Sequence, residues 1–353
     1  MQLALARKGR RLDYIGSTSM SRIAINSGNK SAIAHLKLET ENPGGSIKDR
    51  TALGLILDAI NRGTLTAGKK VIESTSGNLG AAAAYICSEL GFPFIAVIDP
   101  KTTSENVEKI KAYGATVVCI DQQDETGGYL LNRLRYIKSR LQTEPDLVWL
   151  NQYESMANVE AHYISTAPEI WMQMRGKIDV IFVAVSTGGT LAGISRHIRK
   201  LSPLTKIIAV DALGSIALGG QPGPRYLTGI GASRHSSFIE SSDYSEVIHV
   251  TDPQAFGACL AVRDRTGLSL GGSSGAVVWA AVEWLKREKA DRIVCLCPDG
   301  GENYGQTIFK SEWLTRCVPS AHDVAVDLAS KISLAVELTR DSLSKVVPLH
   351  AAS

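Results

Sequence analysis

Two apolar runs constrain the fold of this chain more than any other feature of the sequence. Residues 94–98 read FIAVI and residues 179–185 read DVIFVAV. Strands with so few polar side chains are buried on both faces, which is typical of parallel sheets that are covered by helices. Segments of helical period alternate with these and other short strands along most of the chain. The pattern predicts an α/β protein with mostly parallel sheets.

The length and the order of the elements suggest two domains, each with three layers. A chain of 353 residues is long enough for two such units. We expect residues 49–157 to form the smaller domain and the remainder to form the larger one, with residues 292–296 as the strand that closes its sheet. Residues 1–20 have little pattern, so we expect them to pack loosely. The tail, residues 321–353, is amphipathic in parts and is expected to add a helix or to be partly disordered.

The composition argues against several classes of partner. The chain has 38 Lys and Arg against 35 Asp and Glu, a net charge of +3. This excess is too small to indicate a nucleic acid or a membrane surface as the partner. The sequence has no apolar run long enough for a transmembrane helix, and the order of basic and apolar residues at the N-terminus differs from that of a secretory signal. Together these features favour the cytoplasm.

The cysteines and histidines show no spacing typical of a metal site. Six cysteines are scattered and lie mostly in apolar segments, which predicts free, buried thiols in a reducing compartment. Cys295 and Cys297 should face one side of a strand, but no second pair or nearby histidine completes a ligand set. The seven histidines are expected to be structural or to lie at the surface, and we predict no metal site.

The most informative short stretch is residues 42–50, NPGGSIKDR. Pro43 and two glycines interrupt regular structure directly before an apolar, helix-prone run, so Lys48 should lie at a helix N-terminus. Burial and the positive end of the helix would lower the pKa of this amine, and a neutral amine can form a Schiff base. Taken alone, the stretch is equally compatible with an ordinary capped helix and a solvated lysine.

This stretch resembles the lysine motif of the pyridoxal-phosphate-dependent cysteine synthase and cystathionine β-synthase family, Asn-Pro-x-x-Ser-Val-Lys-Asp-Arg, with isoleucine in place of valine. The resemblance implies that Lys48 carries pyridoxal 5'-phosphate and that the fold is of the tryptophan synthase β-like type, called fold type II. It also implies that residues 1–48 join residues 158–320 in the larger domain, that the smaller domain is mobile, and that the protein is a homodimer acting on small amino acids.

A second glycine-rich loop follows the strand at residues 179–185. Backbone amides at the start of the next helix would face an anion, helped by the helix dipole. The loop resembles the family's phosphate-binding Gly-Thr-Gly-Gly-Thr, with serine at its first position, so the resemblance implies that it binds the cofactor phosphate through Ser186, Thr187, Gly188, Gly189 and Thr190. A dinucleotide site is the competing interpretation, but the sequence lacks G-x-G-x-x-G and the acidic residue that should follow.

Three further segments match family motifs, which together span about residues 42–305. Residues 74–80, STSGNLG, resemble the loop that binds the substrate α-carboxylate, which the resemblance assigns to Ser74, Thr75, Ser76 and Gly77. In the same loop Asn78 would meet the hydroxyl oxygen of the cofactor ring. Gln152 would also reach the α-carboxylate. Ser273 would meet the pyridine nitrogen, and a hydroxyl there leaves this nitrogen neutral, which favours expulsion of a β-leaving group.

Several departures from the cysteine synthase pattern indicate a more polar substrate than sulfide. Arg133, Tyr153, Ser186 and Arg234 add polar or cationic groups near the expected mouth of the site. Arginine binds phosphate and carboxylate in bidentate fashion. We therefore expect Arg133, Tyr153 and Ser186 to serve a phosphoserine, and Arg234, with Arg225 as a weaker candidate, to serve a dicarboxylate. The alternative is that these arginines are solvated loop residues.

This set of departures resembles the siderophore-pathway synthases that join O-phospho-L-serine to L-glutamate. The resemblance implies β-replacement that yields N-(2-amino-2-carboxyethyl)-L-glutamate, a precursor of 2,3-diaminopropionate. A cysteine synthase that uses O-acetylserine or O-phosphoserine and sulfide is the alternative in the same class, and ammonia or other amines remain open as nucleophiles. A catalytically silent binding paralogue is the alternative from another class, although lysine, asparagine and serine all stand at the three cofactor positions.

Overall fold

The computed structural model describes residues 12–125 and 127–334. Within these residues two sheets form the framework of the molecule. The larger has seven strands in the order β11-β1-β2-β10-β7-β8-β9 and the smaller has four in the order β5-β4-β3-β6. The strands are β1 (Met20–Ser27), β2 (Lys30–Leu38), β3 (Lys70–Ser74), β4 (Phe94–Ile98), β5 (Thr116–Cys119), β6 (Leu147–Trp149), β7 (Val180–Ala184), β8 (Lys206–Ala212), β9 (Glu246–Val250), β10 (Arg292–Cys297) and β11 (Ile332–Leu334).

Helices follow most strands and cover both faces of each sheet. A π-helical stretch, His162–Thr166, joins α5 to α6 without a break. The helices are α1 (Lys48–Asn61), α2 (Asn78–Leu90), α3 (Ser104–Ala112), α4 (Leu130–Thr143), α5 (Ala157–Ala161), α6 (Ala167–Gln173), α7 (Gly189–Leu201), α8 (Asp252–Thr266), α9 (Gly272–Arg287), α10 (Ser311–Cys317) and α11 (Ala321–Ala329).

Neighbouring residues of the central strands enter separate cores, which explains their uninterrupted apolar character. On β7, Phe182 packs in one cluster while Ile181 and Val183 pack in another. On β3 of the smaller sheet, Val71 and Ile72 divide in the same way. Because side chains alternate between the two faces of a strand, both sheets have helices above and below. The predicted α/β class with mostly parallel, three-layered sheets is confirmed.

The N-terminal part of the described chain differs from its prediction. Strand β1 was not predicted and pairs antiparallel with β2 over its whole length. Ile15 and Thr18 are buried, and the Gly16 N–H donates to the Asn42 side chain at 2.8 Å, so residues 12–20 do not pack loosely. Residues 1–11 of that prediction lie outside the described residues.

The order of strands in the larger sheet also differs from the expected one. Strand β10 does not close the sheet; it lies in the middle, parallel to β2 on one side and to β7 on the other. In the predicted tail, α11 is followed by β11, which pairs antiparallel with β1 and had not been expected. Residues 335–353 of the tail lie outside the described residues. The boundaries 49–157, 1–48 with 158–320, and 321–353 stay predictions.

Candidate active site

Lys48 is the first residue of α1, where the sequence placed it. Gly45 turns the chain with a φ of +85°, a conformation that favours glycine, directly before the helix. The Ile47 N–H then donates to the carbonyl of Pro298 at 2.8 Å, which attaches the lysine loop to the end of β10. Burial lowers the pKa of the Lys48 amine to about 8, although the negative charge of Asp299 opposes this shift. A fraction of the amine is therefore neutral near neutral pH.

The first turn of α1 is held by a buried network of ion pairs that the sequence analysis did not identify. Arg50 pairs with Glu39 at 2.7 Å and donates two hydrogen bonds of 2.7 Å to Glu169. Lys37 lies 2.9 Å from Glu169 on the other side. These charges come from β2, α1, α6 and the turn after β2, so the network ties the first turn of α1, which carries Lys48, to β2 and α6.

Asn78 and Ser273 both form a hydrogen bond with the side chain of Asp299. Asn78 is the first residue of α2, and its Nδ2 donates to Asp299 Oδ2 at 2.9 Å. Ser273 lies in the first turn of α9, and its Oγ is 3.2 Å from Asp299 Oδ1. The Tyr304 hydroxyl donates to Oδ2 at 2.7 Å. Asp299 is only 1% exposed, and burial raises the pKa of its carboxyl.

The sequence analysis missed Asp299, although a signal for it was present. It follows the end of a central parallel strand, the position at which ligands gather in open α/β sheets. The same reasoning had selected the loops after β3 and β7, but the Pro-Asp-Gly-Gly loop after β10 was not considered, because this strand was expected to close the sheet.

The glycine loop at residues 186–190 lies where predicted, between β7 and α7. Gly188 has a φ of +97°, and a Cβ on this residue would collide with the side chain of Ser236. A Cβ on Gly189 would collide with Asn158. The loop therefore requires both glycines, and its amides begin a helix whose first N–H groups have no intrahelical partner. Such a loop can bind an anion.

Two buried side chains that were not predicted support this loop. Asn158 Nδ2 donates to Thr187 Oγ1 at 3.1 Å and to the carbonyl of Gln152 at 2.8 Å. His162 Nε2 lies 3.2 Å from Thr190 Oγ1 and 3.0 Å from the Thr51 hydroxyl on α1. Burial lowers the pKa of His162, so the ring is neutral at physiological pH. This histidine connects the glycine loop to the lysine helix, in line with the expected structural role.

The loop after β3 carries the predicted carboxylate-binding residues. Ser74 ends the strand, Thr75 is buried and Ser76 is exposed at the bend before Gly77, which precedes α2. Gln152 Nε2 donates to the Ser74 carbonyl at 2.8 Å. The structure therefore brings Gln152 to this loop, although its amide nitrogen already has a protein partner.

A buried glutamate beneath this loop had also been missed. Glu73 accepts a hydrogen bond of 2.8 Å from the Ser74 N–H and another of 3.3 Å from the Gln152 N–H. Burial raises its pKa to about 7, and these N–H donors oppose the shift. Because Glu73 accepts hydrogen bonds from both backbone segments, it holds Ser74 of the carboxylate loop close to Gln152.

The polar residues that were predicted for specificity lie in one neighbourhood. Ser186, Tyr153 and Arg234 line one small pocket, and the Arg234 guanidinium lies 5.5 Å from the centre of the Tyr153 ring. Arg234 also pairs with Glu154 at 3.4 Å. Burial raises the pKa of Tyr153, and the charge of Arg133 opposes that rise most strongly. Ser186, Tyr153 and Arg234 thus come together from three separate segments, and Arg133 influences the pKa of Tyr153 without lining this pocket.

Arg133 is buried on a helix and is therefore not the solvated loop residue of the alternative interpretation; its part in the site stays a prediction. It lies on α4 and is only 4% exposed. Its Nε is 3.4 Å from a carboxylate oxygen of Asp99, but neither Nε nor Nη1 has a hydrogen-bond partner in the described structure. A buried guanidinium with unsatisfied N–H groups is costly unless an anion approaches it.

Arg225 is not part of this neighbourhood. Its Nη1 donates to the carbonyl of Gly214 at 2.9 Å, and its charge faces Asp211 and Asp252. The side chain therefore braces the long loop after β8. The weaker prediction that Arg225 binds a dicarboxylate is not supported by this geometry, because its guanidinium is directed at the protein's own loop.

Taken together, these loops have the chemistry needed to bind a phosphorylated pyridine aldehyde. A lysine with a lowered pKa, a glycine loop at a helix N-terminus, and the hydrogen-bonding groups of Asn78 and Ser273 surround one region. The glycine loop would hold the phosphate, Lys48 would bind the aldehyde, and the two polar side chains would face the ring. The residues present therefore fit the cofactor that the sequence resemblance implies.

Other features bear on the alternative functions. Within residues 12–125 and 127–334, no group of three or more His, Cys, Asp or Glu could hold a metal ion. No helix in the same residues is both long and apolar enough to cross a membrane. The cysteines are free; Cys295 and Cys297 are buried on the same strand as predicted, whereas Cys119 is exposed, contrary to expectation.

Comparison with known proteins gives one family. A family model described as "Pyridoxal-phosphate dependent enzyme" matches residues 12–299. The N-(2-amino-2-carboxyethyl)-L-glutamate synthase of Ralstonia nicotianae is 40% identical over 320 residues, which is 90% of this chain and 95% of that protein. The synthase of the same name from Cupriavidus metallidurans is 38% identical over 309 residues, or 86% of this chain and 91% of its own.

A solved structure has a similar fold. The O-acetylserine dependent cystathionine beta-synthase of Helicobacter pylori superposes with a TM-score of 0.78 and is 28% identical. The match covers 85% of this chain and 97% of that one.

Proposed function

The chain belongs to the pyridoxal-phosphate dependent enzyme family, and we propose that it joins O-phospho-L-serine to L-glutamate. The products would be N-(2-amino-2-carboxyethyl)-L-glutamate and phosphate. The observation that carries this proposal is the pocket lined by Tyr153, Ser186 and Arg234, together with the buried and incompletely hydrogen-bonded guanidinium of Arg133. Two relatives at 38–40% identity that are named for this product support the same substrates.

The cofactor supplies one part of the chemistry and this chain supplies the rest. Pyridoxal phosphate, when bound, supplies an electron sink for the bonds that break at the α- and β-carbons of the serine. Ser186, Thr187, Gly188, Gly189 and Thr190 would hold its phosphate. Asn78 would meet the ring hydroxyl oxygen, and Ser273 would meet the ring nitrogen.

Lys48 is proposed as the catalytic acid and base. Its amine, with a pKa lowered to about 8, can accept the α-proton of the donor and return a proton to the same carbon after the new bond has formed. Between these two steps the leaving group departs from the β-carbon and the incoming amine adds there. A pKa near the working pH allows the same nitrogen to perform both transfers.

The α-carboxylate of the serine would bind to the loop after β3. Thr75 and Ser76 offer hydroxyl groups, and the amides near Gly77 begin a helix, so the loop favours an anion. Gln152 would complete this contact from its position against the Ser74 carbonyl. We further propose that residues 49–157 move as the smaller domain and exclude water when this loop is occupied.

The phosphate of the donor would bind to Arg133, Tyr153 and Ser186. Arg133 has unsatisfied N–H groups in a buried position, and a phosphate would satisfy them by charge-assisted hydrogen bonds. The Ser186 hydroxyl, which now lies 3.3 Å from the Gly231 carbonyl, could turn to donate to the same phosphate.

The carboxylates of glutamate would bind to Arg234. This residue is held over the Tyr153 ring and is paired only loosely, at 3.4 Å, with Glu154. A substrate carboxylate can replace Glu154 as its partner, because an exposed ion pair of this kind stabilises the protein by only ~1 kcal/mol or less.

A product assay by mass spectrometry tests the proposal. O-phosphoserine or O-acetylserine is paired with glutamate, ammonia or sulfide, and the adducts are quantified. We expect the glutamate adduct and phosphate to form most efficiently from O-phosphoserine. Efficient cysteine formation without any glutamate adduct would support the alternative, a cysteine synthase, which the similarity to an O-acetylserine-using enzyme favours.

Two arginines on α4 provide a matched pair for the phosphate assignment. Arg133→Met should lower kcat/KM for O-phosphoserine by about 10- to 100-fold, since hydrogen bonds to charged groups contribute ~1.5–3 kcal/mol. The control is Arg135→Met, because Arg135 is exposed and pairs with Glu125. Equal losses in both variants would count against a phosphate contact at Arg133.

Three further assignments belong to the same proposal. We propose that the enzyme is a homodimer, as the family resemblance implies, and that its substrates are small amino acids. The buried thiols of Cys87, Cys259, Cys295 and Cys297 suit a reducing compartment, so we place its work in the cytoplasm. Its product would serve the synthesis of 2,3-diaminopropionate for a siderophore or an antibiotic.

A further inference from the structure

Asp299 is a buried carboxyl group that the proposed mechanism does not yet use. Its backbone is connected to two of the site loops: Ser46 of the lysine loop forms an antiparallel bridge with it, and the Gly271 N–H donates to its carbonyl at 3.1 Å. The Ser274 hydroxyl donates to the same carbonyl at 2.8 Å. The side chain is therefore held in one place while its two oxygens face different partners.

The two carboxyl oxygens have unequal surroundings. Oδ2 accepts hydrogen bonds from two donors, Asn78 Nδ2 at 2.9 Å and the Tyr304 hydroxyl at 2.7 Å. Among the described residues, Oδ1 has one side-chain hydrogen-bond partner, the Ser273 hydroxyl at 3.2 Å. A hydroxyl can either donate or accept, so the position of the shared hydrogen between Oδ1 and Ser273 depends on whether Asp299 is ionised.

We propose that Asp299 carries a proton on Oδ1 and donates it to Ser273 Oγ, so that the Ser273 hydroxyl hydrogen is free to point at the ring nitrogen of the cofactor. This arrangement satisfies every group, because Oδ2 acts as the acceptor for its two donors and Oδ1 acts as the donor. Asp299 is thus a positioning residue that determines the direction of the Ser273 hydrogen bond. The proposal concerns the cofactor site and is independent of which amino acids the enzyme joins.

The charges around Asp299 are consistent with a neutral carboxyl. Lys48 is the cation that faces Asp299. Its amine is buried, and it is the proposed attachment point of the cofactor. The other ionisable neighbours are neutral or negative. They come from the segment after β10, from α8 and from β10 itself: Glu302, Tyr304, Cys259 and Cys297. Burial raises the pKa of Asp299 and favours the protonated acid, although the hydrogen bonds with Tyr304, Asn78 and Ser273 oppose this shift.

The protonated form has a chemical consequence for the ring. A hydroxyl that donates to the pyridine nitrogen leaves the nitrogen unprotonated, whereas a hydroxyl that donates to an ionised Asp299 offers the nitrogen only a lone pair and would favour its protonation. The first state suits expulsion of a β-leaving group, because a less delocalised carbanion expels it more readily. Asp299 therefore acts on the cofactor through Ser273 and does not touch it in this account.

Infrared difference spectroscopy of the cofactor-loaded enzyme tests the protonation state directly. The spectrum of the wild type minus that of Asp299→Asn should contain the C=O stretching band of a carboxylic acid. Asparagine keeps an acceptor toward Asn78 and Tyr304 and a donor toward Ser273, so the absorbance maximum of the bound cofactor should be the same in both proteins. Carboxylate bands in the difference spectrum, or a shifted cofactor maximum in Asp299→Asn, would overturn the proposal.

A double-mutant cycle tests whether Asp299 acts through Ser273. Equilibrium dialysis of the apoenzyme against pyridoxal phosphate should show a loss of about tenfold in affinity for Asp299→Ala, the scale of one buried hydrogen bond. In the Ser273→Ala background the same change should cost less than about twofold. Equal losses in the two backgrounds would mean a structural role only, and would overturn the proposal. If Asp299→Ala does not fold, Asp299→Asn is used in the same cycle and should bind within about threefold of the wild type.

These measurements do not depend on the substrates. They use only the cofactor, so a failed assignment of phosphoserine or glutamate leaves their outcome unchanged. Conversely, if the proposal for Asp299 is refuted, the product assay still decides which reaction the enzyme catalyses.

Discussion

The clusters around Arg50 and around Asp299 lie on either side of the lysine loop, and both are buried, but they balance charge differently. Around Arg50, two cations and two carboxylates pair at 2.7–2.9 Å. Around Asp299, one carboxyl meets an amide, two hydroxyls and no cation in direct contact. Burial by itself raises the pKa of a carboxyl group in either cluster. The net shift is nevertheless downward for Glu169 and upward for Asp299.

The direction of each pKa shift identifies what each cluster can do. Hydrogen bonds and charge from Arg50 hold the pKa of Glu169 at about 2, so this group stays ionised and its contribution is to stability. Burial raises the pKa of Asp299, so this group can be neutral and act as a hydrogen-bond donor. The paired cluster fixes the first turn of α1, and the unpaired one is available to the cofactor site.

Lys48→Ala should give the largest effect and should separate activity from stability. We expect turnover to fall by at least about 10³-fold, because the variant lacks the proton-transfer group. The free energy of unfolding of the apoenzyme should not fall, because a buried amine has been removed and the Arg50 cluster is intact. Phosphate release and denaturant unfolding measure the two quantities. Turnover at the wild-type rate would refute the assignment of Lys48.

Arg50→Met should show the reverse pattern. Removing Arg50 leaves the buried Glu39 without its cationic partner and leaves Glu169 with Lys37 alone, which costs about 3–5 kcal/mol of stability. Urea unfolding monitored by circular dichroism measures this loss. If the variant is as stable as the wild type, the Arg50 cluster does not hold the helix in the way described.

Acidification should weaken the paired cluster. Glu169 has a folded-state pKa of about 2, below the ordinary value of 4.5, so its contribution is present above pH 4.5 and is lost as the pH falls toward 2. Over that window the free energy of unfolding should decrease by up to ~1.4 kcal/mol per pH unit from this group. In Glu169→Gln this component of the slope should be absent. Identical slopes in both proteins would contradict the lowered pKa.

Arg62→Met provides the smallest effect and the control for Arg50. Arg62 caps the C-terminal end of the same helix, and it pairs with Asp58 at 3.0 Å while its side chain is 63% exposed. An exposed pair at this spacing stabilises a helix by only ~0.3–0.5 kcal/mol. The same urea titration should detect little change, and 0.5 M salt should remove it. A loss comparable to that of Arg50→Met would mean that burial is not the cause of the difference.

Sequence patterns were sufficient for the elements and for the loops that carry chemistry. Residues 94–98 were predicted as a strand with the bounds that the structure has, because β-branched and apolar runs of this length favour strands. Lys48 begins a helix, as predicted, and the helices that start at Asn78 and Gly189 begin within the loops that were selected from the sequence. These features depend on residues within one turn of each other.

The residues that were missed share one property. Asp299, Asn158, His162 and Glu73 act through partners far along the chain; Asn78 and Asp299, for example, are 221 residues apart. No local pattern distinguishes such a residue from an ordinary polar one. Arg133 was predicted as a site residue because of its charge. Its burial against Asp99 could not be inferred from the sequence of its own helix.

What the sequence determined by itself was therefore local: an α/β chain of alternating elements, a lysine at a helix N-terminus, and a set of motifs that identified the family. The tertiary structure alone decided that β10 lies in the middle of the larger sheet, that β1 and β11 extend it antiparallel, and that Asn78 and Ser273 meet at Asp299, directly after β10. The physical reason is that periodicity encodes which face of an element is buried. The neighbours that it is buried against, and hence the pKa of each carboxyl, follow only from the packing of distant segments.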